Sequence, residues 1–156
     1  INARQGLDRL QKLMDEYAGG VTVNYMTNEK LLHIGLKKLK IMEEDLEKLA
    51  AKDLHELLRA WELRHRHRTS ECVVQHTLFR KETRWPGYYY RGDAMKLDDE
   101  NWHVLTVSHR DRKTGQYTME KAPCYHLVEA DDEATNGTSK NEEASEDAST
   151  VLEPAE

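Results

Sequence analysis

The feature that most constrains this chain is a long helical pattern, from Asp53 to Phe79, that runs into the helix-breaking triplet Trp85-Pro86-Gly87. Apolar residues recur at Leu54, Leu57, Leu58, Trp61, Cys72, Val73 and Phe79, which is the spacing of one helical face. Asp53 stands where an N-cap belongs, with a side-chain oxygen able to accept from an otherwise unpaired amide. At the far end, Pro86 disfavours the α region for Trp85, and Gly87 can take backbone angles closed to other residues. Arg80, Lys81 and Arg84 are expected in the last helical turn, where cations suit the negative end of the helix dipole. Three tyrosines, Tyr88, Tyr89 and Tyr90, then lead to Arg91 and Asp93.

Two further patterns supply partners for this helix. Residues 3–17 put Leu7, Leu10, Leu13, Met14 and Tyr17 on one face, and Gly19-Gly20 stops them. After the link Val21 to Tyr25, Thr27 or Asn28 can cap a second helix through about Ala51, with Leu32, Leu36, Leu39, Leu46 and Leu49 inward. Three amphipathic helices joined by short turns predict a mainly α fold, a three-helix antiparallel bundle over residues 1–93. Residues 94–128 change character. Asp98-Asp99-Glu100-Asn101-Trp102 reads as one helical turn. His103 to Val107 and Gln116 to Glu120 alternate as strands around the turn Asp111-Arg112-Lys113-Thr114-Gly115, a β-hairpin extension.

Charge is unevenly spread. Residues 129–156 carry ten acidic side chains and one lysine, whereas residues 1–128 are net basic by three. That acidic stretch has no aromatic residue and too little apolar surface to bury, so a disordered acidic tail is expected there. The two cysteines, Cys72 and Cys124, lack any CxxC spacing and read as free thiols in a reducing, cytoplasmic setting. No apolar run is long enough to span a bilayer. A first residue other than methionine, with no basic and apolar leader, leads to the expectation of a processed or excised chain without a signal peptide.

Several residue groups invite a chemical reading. His65, His67, Cys72 and His76 include metal-ligating types, but His65 and His67 point to different sides of a helix, and Cys72 with His76 is a lone i, i+4 pair. A zinc site wants three or four convergent ligands, so no metal site is assigned. The run Arg64-His65-Arg66-His67-Arg68 lacks a recognition motif and sits in a chain with an acidic end. It therefore reads as a face that docks on an acidic partner surface or a neighbouring domain, not on nucleic acid. Arg80, Glu82, Arg84, Arg91 and Asp93 could clamp an anion bidentately or form a structural charge network. The structural reading is preferred, with Trp61, Trp85 and Trp102 as packing anchors and not electron-transfer relays, and with Trp85, Tyr89 and Trp102 joining the charged residues at an interdomain or partner contact. No catalytic or cofactor-binding residue is assigned.

The stretch FRKETRWPGYYYRGDAMKLDDENW resembles the C-terminal region of the flavoprotein subunits of the succinate dehydrogenase and fumarate reductase superfamily. Arg80, Glu82, Arg84, Arg91, Asp93, Asp98, Asp99 and Trp102 match the pattern of that family, in which R-x-E-S-R-G-x-H-x-R-x-D-Y-P precedes acidic residues and a tryptophan. Thr83 replaces the serine, Trp85-Pro86-Gly87-Tyr88 stands in place of Gly-x-His, and Ala94-Met95 replaces Tyr-Pro. These departures resemble the branch formed by the alpha subunits of dissimilatory adenylylsulfate reductase, where E-T-R-W-P-G-Y-Y is typical. The likeness extends over nearly residues 4–128.

The resemblance implies an oxidoreductase of dissimilatory sulfur metabolism. Its full subunit binds FAD, works with an iron–sulfur beta subunit, and interconverts adenylylsulfate with sulfite and AMP. It also implies that flavin and substrate lie in preceding domains of the subunit, since no GxGxxG fingerprint follows a strand here. The chain is then an assembly domain, inactive by itself, that contacts the preceding flavin-binding domain and the beta subunit. The alternatives are a freestanding helical interaction module, or the C-terminal domain of another flavoprotein of the superfamily.

Overall fold

The computed structural model describes residues 1–85, 87–125 and 150–151. They fall in two compact units, Ile1–Leu97 and Asp98–Pro154. The first is built on three helices, α1 (Ala3–Tyr17), α2 (Glu29–Leu46) and α3 (Leu54–Phe79), each packed on the other two. Each begins with a side-chain cap. Asn2, Asn28 and Asp53 accept from the amides of Gln5, Leu31 and Glu56, at 2.9, 3.0 and 2.8 Å. Each cap satisfies an amide that has no partner inside its helix.

The core between the helices is aliphatic: Leu10 and Leu13 from α1, Leu32, Leu39, Met42 and Leu46 from α2, Leu63, Val74 and Leu78 from α3. Burying each of these side chains contributes roughly 1.5–3 kcal/mol, which makes this cluster the main term holding the bundle together. Gly6 lets α1 approach α3 closely, because a Cβ there would lie 2.5 Å from Leu63 Cδ2. His67 is buried in the same layer at 2% exposure, with Nε2 2.9 Å from the Leu39 carbonyl oxygen. That contact satisfies a polar ring that would otherwise be stranded in an apolar layer.

The helices differ from the sequence expectation at two of their ends, and the facing of α3, which periodicity left open, is set by the structure. α2 ends at Leu46, not near Ala51, because Lys48 and Leu49 fold back with tighter amide contacts to Asp45 and Leu46. α3 ends at Phe79 with Arg80 as its extended C-cap, so Lys81 and Arg84 lie beyond the last helical turn. Most consequentially, Leu54, Leu57, Leu58 and Trp61 face outward, and the inward arc of α3 is Ala60, Leu63, His67, Val74 and Leu78. Among the described residues no helix is long and apolar enough to cross a membrane.

A two-residue strand in the α1–α2 link, β1 (Met26–Thr27), runs parallel to β2 (Tyr90–Arg91) in the loop after α3. Tyr90 donates its amide to the Tyr25 carbonyl at 2.8 Å, and Gly92 donates to the Thr27 carbonyl at 2.7 Å. The bundle is thereby tied across a separation that no local pattern reveals.

The second unit opens with α4 (Asp99–Trp102), capped by Asp98, and continues into β3 (Val104–Arg110) and β4 (Tyr117–Pro123). These strands pair antiparallel with Ser108 opposite Met119, closing the expected hairpin. Its turn is held by Asp111, whose Oδ1 accepts from the amides of Lys113 and Thr114 at 2.8 and 2.6 Å, while Gly115 takes φ +75°. Only glycine adopts that angle without strain. The Lys121 ammonium lies 3.9 Å from the centre of the buried Trp102 ring. The acidic tail expected at 129–156 lies outside the described residues, except for β5 (Thr150–Val151), which pairs antiparallel with β4.

Candidate functional site

The charge-rich loop after α3 is the densest polar construction in the first unit. Its starting point is the helix end itself. The last carbonyls of a helix have no intrahelical donor and must find one elsewhere. Here the donor comes from eleven to fourteen residues downstream. Arg91 directs Nη1 at the carbonyls of Thr77, Leu78 and Arg80, the latter two at 3.4 and 2.9 Å. A buried cation therefore sits at the negative end of the α3 dipole, a favourable placement.

The other edge of the same guanidinium is held by Asp93. Nε donates to Oδ1 at 2.9 Å and Nη2 to Oδ2 at 2.8 Å, a two-point fork. Asp93 Oδ2 also accepts the Glu29 amide at 3.1 Å, in the first turn of α2. One carboxylate thus serves the positive start of α2 while its partner serves the negative end of α3. Hydrogen bonding from Arg91 holds the Asp93 carboxyl down at about 2, against an ordinary 3.8, with burial opposing. Burial also opposes the charge on Arg91, but bonding to Asp93 outweighs it and raises the guanidinium.

Glu82 forms a second node. Its carboxylate is fully buried and accepts Arg84 Nε at 2.7 Å and Nη2 at 3.0 Å, together with Arg80 Nη1. Thr83 links the two nodes. Its hydroxyl donates to the Ala94 carbonyl at 2.9 Å and accepts the Arg91 amide at 3.0 Å, and its own amide donates to the Lys96 carbonyl at 3.2 Å. Sequence reading registered Thr83 only as a replaced serine, although it is 4% exposed and makes three backbone ties. Its hydroxyl, set between two charged neighbours in a motif, was the available signal.

The structure brings Arg80, Glu82, Arg84, Arg91 and Asp93 together, as two nodes instead of one cluster. Tyr89 lies half-buried beside Thr77 and Arg91, and burial pushes its phenol up. Trp85 is 69% exposed and its carbonyl anchors the turn, accepting the amides of Tyr88 and Tyr89. Trp102 belongs to the second unit. Chemically the arrangement is a latch. Arg91 is fully buried with both edges on internal acceptors, so it presents no donor to an incoming anion.

The histidine-rich run does not form one face. Arg64 donates to the Leu46 carbonyl at 3.1 Å, Arg68 pairs with Glu43 at 2.9 Å and with Glu71, and His67 is buried. Among the described residues no three His, Cys, Asp or Glu side chains converge on a metal position.

Residues 7–137 match the family of fumarate reductase flavoprotein C-terminal regions. The adenylylsulfate reductase alpha subunit of Megalodesulfovibrio gigas is 43% identical over 131 residues, which are 84% of this chain and 20% of that protein. Adenylylsulfate reductase from Archaeoglobus fulgidus is 55% identical with a TM-score of 0.81, across 84% of this chain and 20% of that one. A structure of adenosine-5-phosphosulfate reductase with sulfite as a covalent adduct gives the same values. E. coli quinol fumarate reductase shares the fold, at 24% identity and a TM-score of 0.68. The chain spans about a fifth of the length of these relatives.

Proposed function

The chain belongs to the fumarate reductase flavoprotein C-terminal family, and from that premise we propose that it is the C-terminal domain of an adenylylsulfate reductase alpha subunit. The observation that carries this reading is the agreement of sequence and fold together, 55% identity at a TM-score of 0.81 over 84% of the chain. The whole subunit then interconverts adenylylsulfate with sulfite and AMP, with FAD as its cofactor and an iron–sulfur beta subunit as its partner in the cytoplasm. The loop Arg80 to Asp93 has a structural task in that enzyme, fixing the end of α3 and the start of α2 so that the domain presents a rigid surface.

The described residues do not fit a flavin. A dinucleotide's pyrophosphate is cradled where a strand passes through a glycine-rich turn into a helix start. Here β1 passes through Asn28 into α2, with no glycine between. That helix start is already taken by the Asn28 side chain and by the Asp93 carboxylate, which would repel a phosphate. FAD therefore lies in the rest of the subunit.

The experiment compares this chain with the full subunit encoded by its reading frame, each produced with the beta subunit. The full subunit should co-purify with beta, carry about one FAD per polypeptide, and pass electrons from sulfite to an added artificial acceptor in the presence of AMP. The chain should purify without FAD and without activity. A yellow chain with stoichiometric FAD, or an upstream frame that encodes no flavin-binding domain, would overturn the assignment.

A further inference from the structure

The N-terminal half of α3 carries two apolar arcs, and only one is used by the bundle. Ala60 and Leu63 face inward, at 8% and 1% exposure. Leu54, Leu57, Leu58 and Trp61 are 83%, 45%, 57% and 59% exposed. Their spacing, i, i+3, i+4, i+7, makes one continuous stripe on the opposite side of the helix. The His65 ring stands edge-on to Trp61 at 5.9 Å and prolongs the stripe by a turn.

Arginines lie to both sides of the stripe. Arg64 and Arg68 run along one flank, engaged with the Leu46 carbonyl and with Glu43 and Glu71. On the other flank Glu62 lies next to the stripe, and Arg59 and Arg66 lie beyond it toward the groove with α1, both exposed. Neither makes an ion pair within the described residues.

We propose that this stripe is the face on which the rest of the same subunit docks, through an apolar surface rimmed by carboxylates. The proposal rests on the reading of the chain as the C-terminal domain of a flavoprotein subunit. Charge complementarity states the chemistry of the partner surface. A tryptophan among leucines, flanked by arginines, has the residue types that dominate buried contacts, and acidic groups at the rim would answer Arg59 and Arg66. The same charges argue against a second copy of the chain, since pairing two such stripes would set arginines against arginines. The relatives argue for the source: about four-fifths of such a subunit lies outside this region, covalently tethered to it at high effective concentration.

The test is thiol labelling of Leu58→Cys, with Leu54→Cys as a second position, read at the introduced residue by peptide mass spectrometry so that the free thiols Cys72 and Cys124 do not contribute, each rate referred to the same variant unfolded in denaturant. Both side chains are exposed on this chain, so neither change disturbs its core. In the chain alone, both thiols should react at close to the unfolded rate. In the full-length alpha subunit without beta, labelling should slow at least about tenfold. Adding Arg59→Glu and Arg66→Glu to the labelled subunit should recover at least about threefold of the rate. Equal rates in chain and subunit would overturn the proposal. So would protection that appears only when the beta subunit is added, or only as the chain's own concentration is raised, because the occupant would then be another molecule. FAD content and turnover of the same full-length sample report separately on the domain assignment, so its failure is not confused with failure of the docking face.

Discussion

Asp93 grips Arg91 through both carboxylate oxygens while the other side of the guanidinium caps the carbonyl end of α3. The same carboxylate reaches the Glu29 amide, so two residues fasten one helix's end to another's beginning. A local charge pair has become a tertiary clamp.

Removing Arg91 should therefore be the most damaging single change in this loop. Arg91→Ala unpairs a carboxylate and leaves three helix-end carbonyls without their donor. The Asp93 carboxylate left behind is partly exposed and keeps access to water, but depriving buried helix-end carbonyls of their donor costs about 1–3 kcal/mol, and the emptied Arg91 site adds to that. Arg91→Lys should recover little, since an ammonium cannot reproduce a planar fork with a second edge. Urea denaturation of the chain followed by circular dichroism measures both. A loss under about 1 kcal/mol for the alanine variant would contradict the clamp.

Acid should release the same clamp. The Asp93 carboxyl titrates at about 2 in the folded chain against an ordinary 3.8. Its contribution is thus complete above pH 3.8 and disappears as pH falls through 2. The side chain is 32% exposed, so solvent screening reduces the effect to on the order of 1–2 kcal/mol. Comparing the chain with Asp93→Asn between pH 2 and 6 should show two stability curves that converge toward pH 2. Parallel curves would remove Asp93 as the titrating group.

Much of the bundle was legible because its signals are local. Asp53, Asn28 and the paired glycines after α1 mark boundaries through a side chain or a backbone angle that acts within a few residues. The end of α3 was not legible, because what terminates it is the Arg91 guanidinium arriving from a later loop, along with the parallel pairing of Met26–Thr27 and Tyr90–Arg91. The facing of α3 was not legible for a different reason. Leu54, Leu57, Leu58 and Trp61 form a genuine helical stripe, but Ala60, Leu63, Val74 and Leu78 form another. Periodicity identifies an apolar arc without saying which neighbour it meets. Of the candidate site, the charged members were visible in the sequence. Their division into a Glu82 node and an Asp93 node was not.

Close approach of α1 to α3 makes Gly6 a sensitive position. Alanine would favour the helix by about 1 kcal/mol over glycine. Its Cβ, however, would lie 2.5 Å from Leu63 Cδ2, so the buried Leu63 side chain would have to shift. Overpacking of this kind costs about 1–3 kcal/mol, so Gly6→Ala should destabilise slightly on balance. The decisive measurement is a double-mutant cycle with Leu63→Ala. Once the blocking methyl is gone, Gly6→Ala should turn stabilising; the same effect in both backgrounds would mean that no clash exists.

Arg84 tests whether the Glu82 node is structural or catalytic. From the sequence Arg84 is expected in the last helical turn as part of a structural charge network, and breaking a buried pair from one side costs about 3–5 kcal/mol. The geometry changes that figure. Arg91 caps the carbonyls, and Glu82 is shared between Arg84 and Arg80, so Arg84→Ala leaves the buried carboxylate one cation. The loss should fall to about 1–3 kcal/mol, that of a charged hydrogen-bonded group partly deprived of partners. Arg80→Ala with Arg84→Ala should exceed the sum of the single losses, because only the double change takes both of these cations from Glu82. In the full-length subunit, Arg84→Ala should lower thermal stability or beta-subunit co-purification before it lowers turnover per bound FAD. A variant that folds, assembles and holds FAD normally, yet loses turnover by orders of magnitude, would make this arginine part of the chemistry.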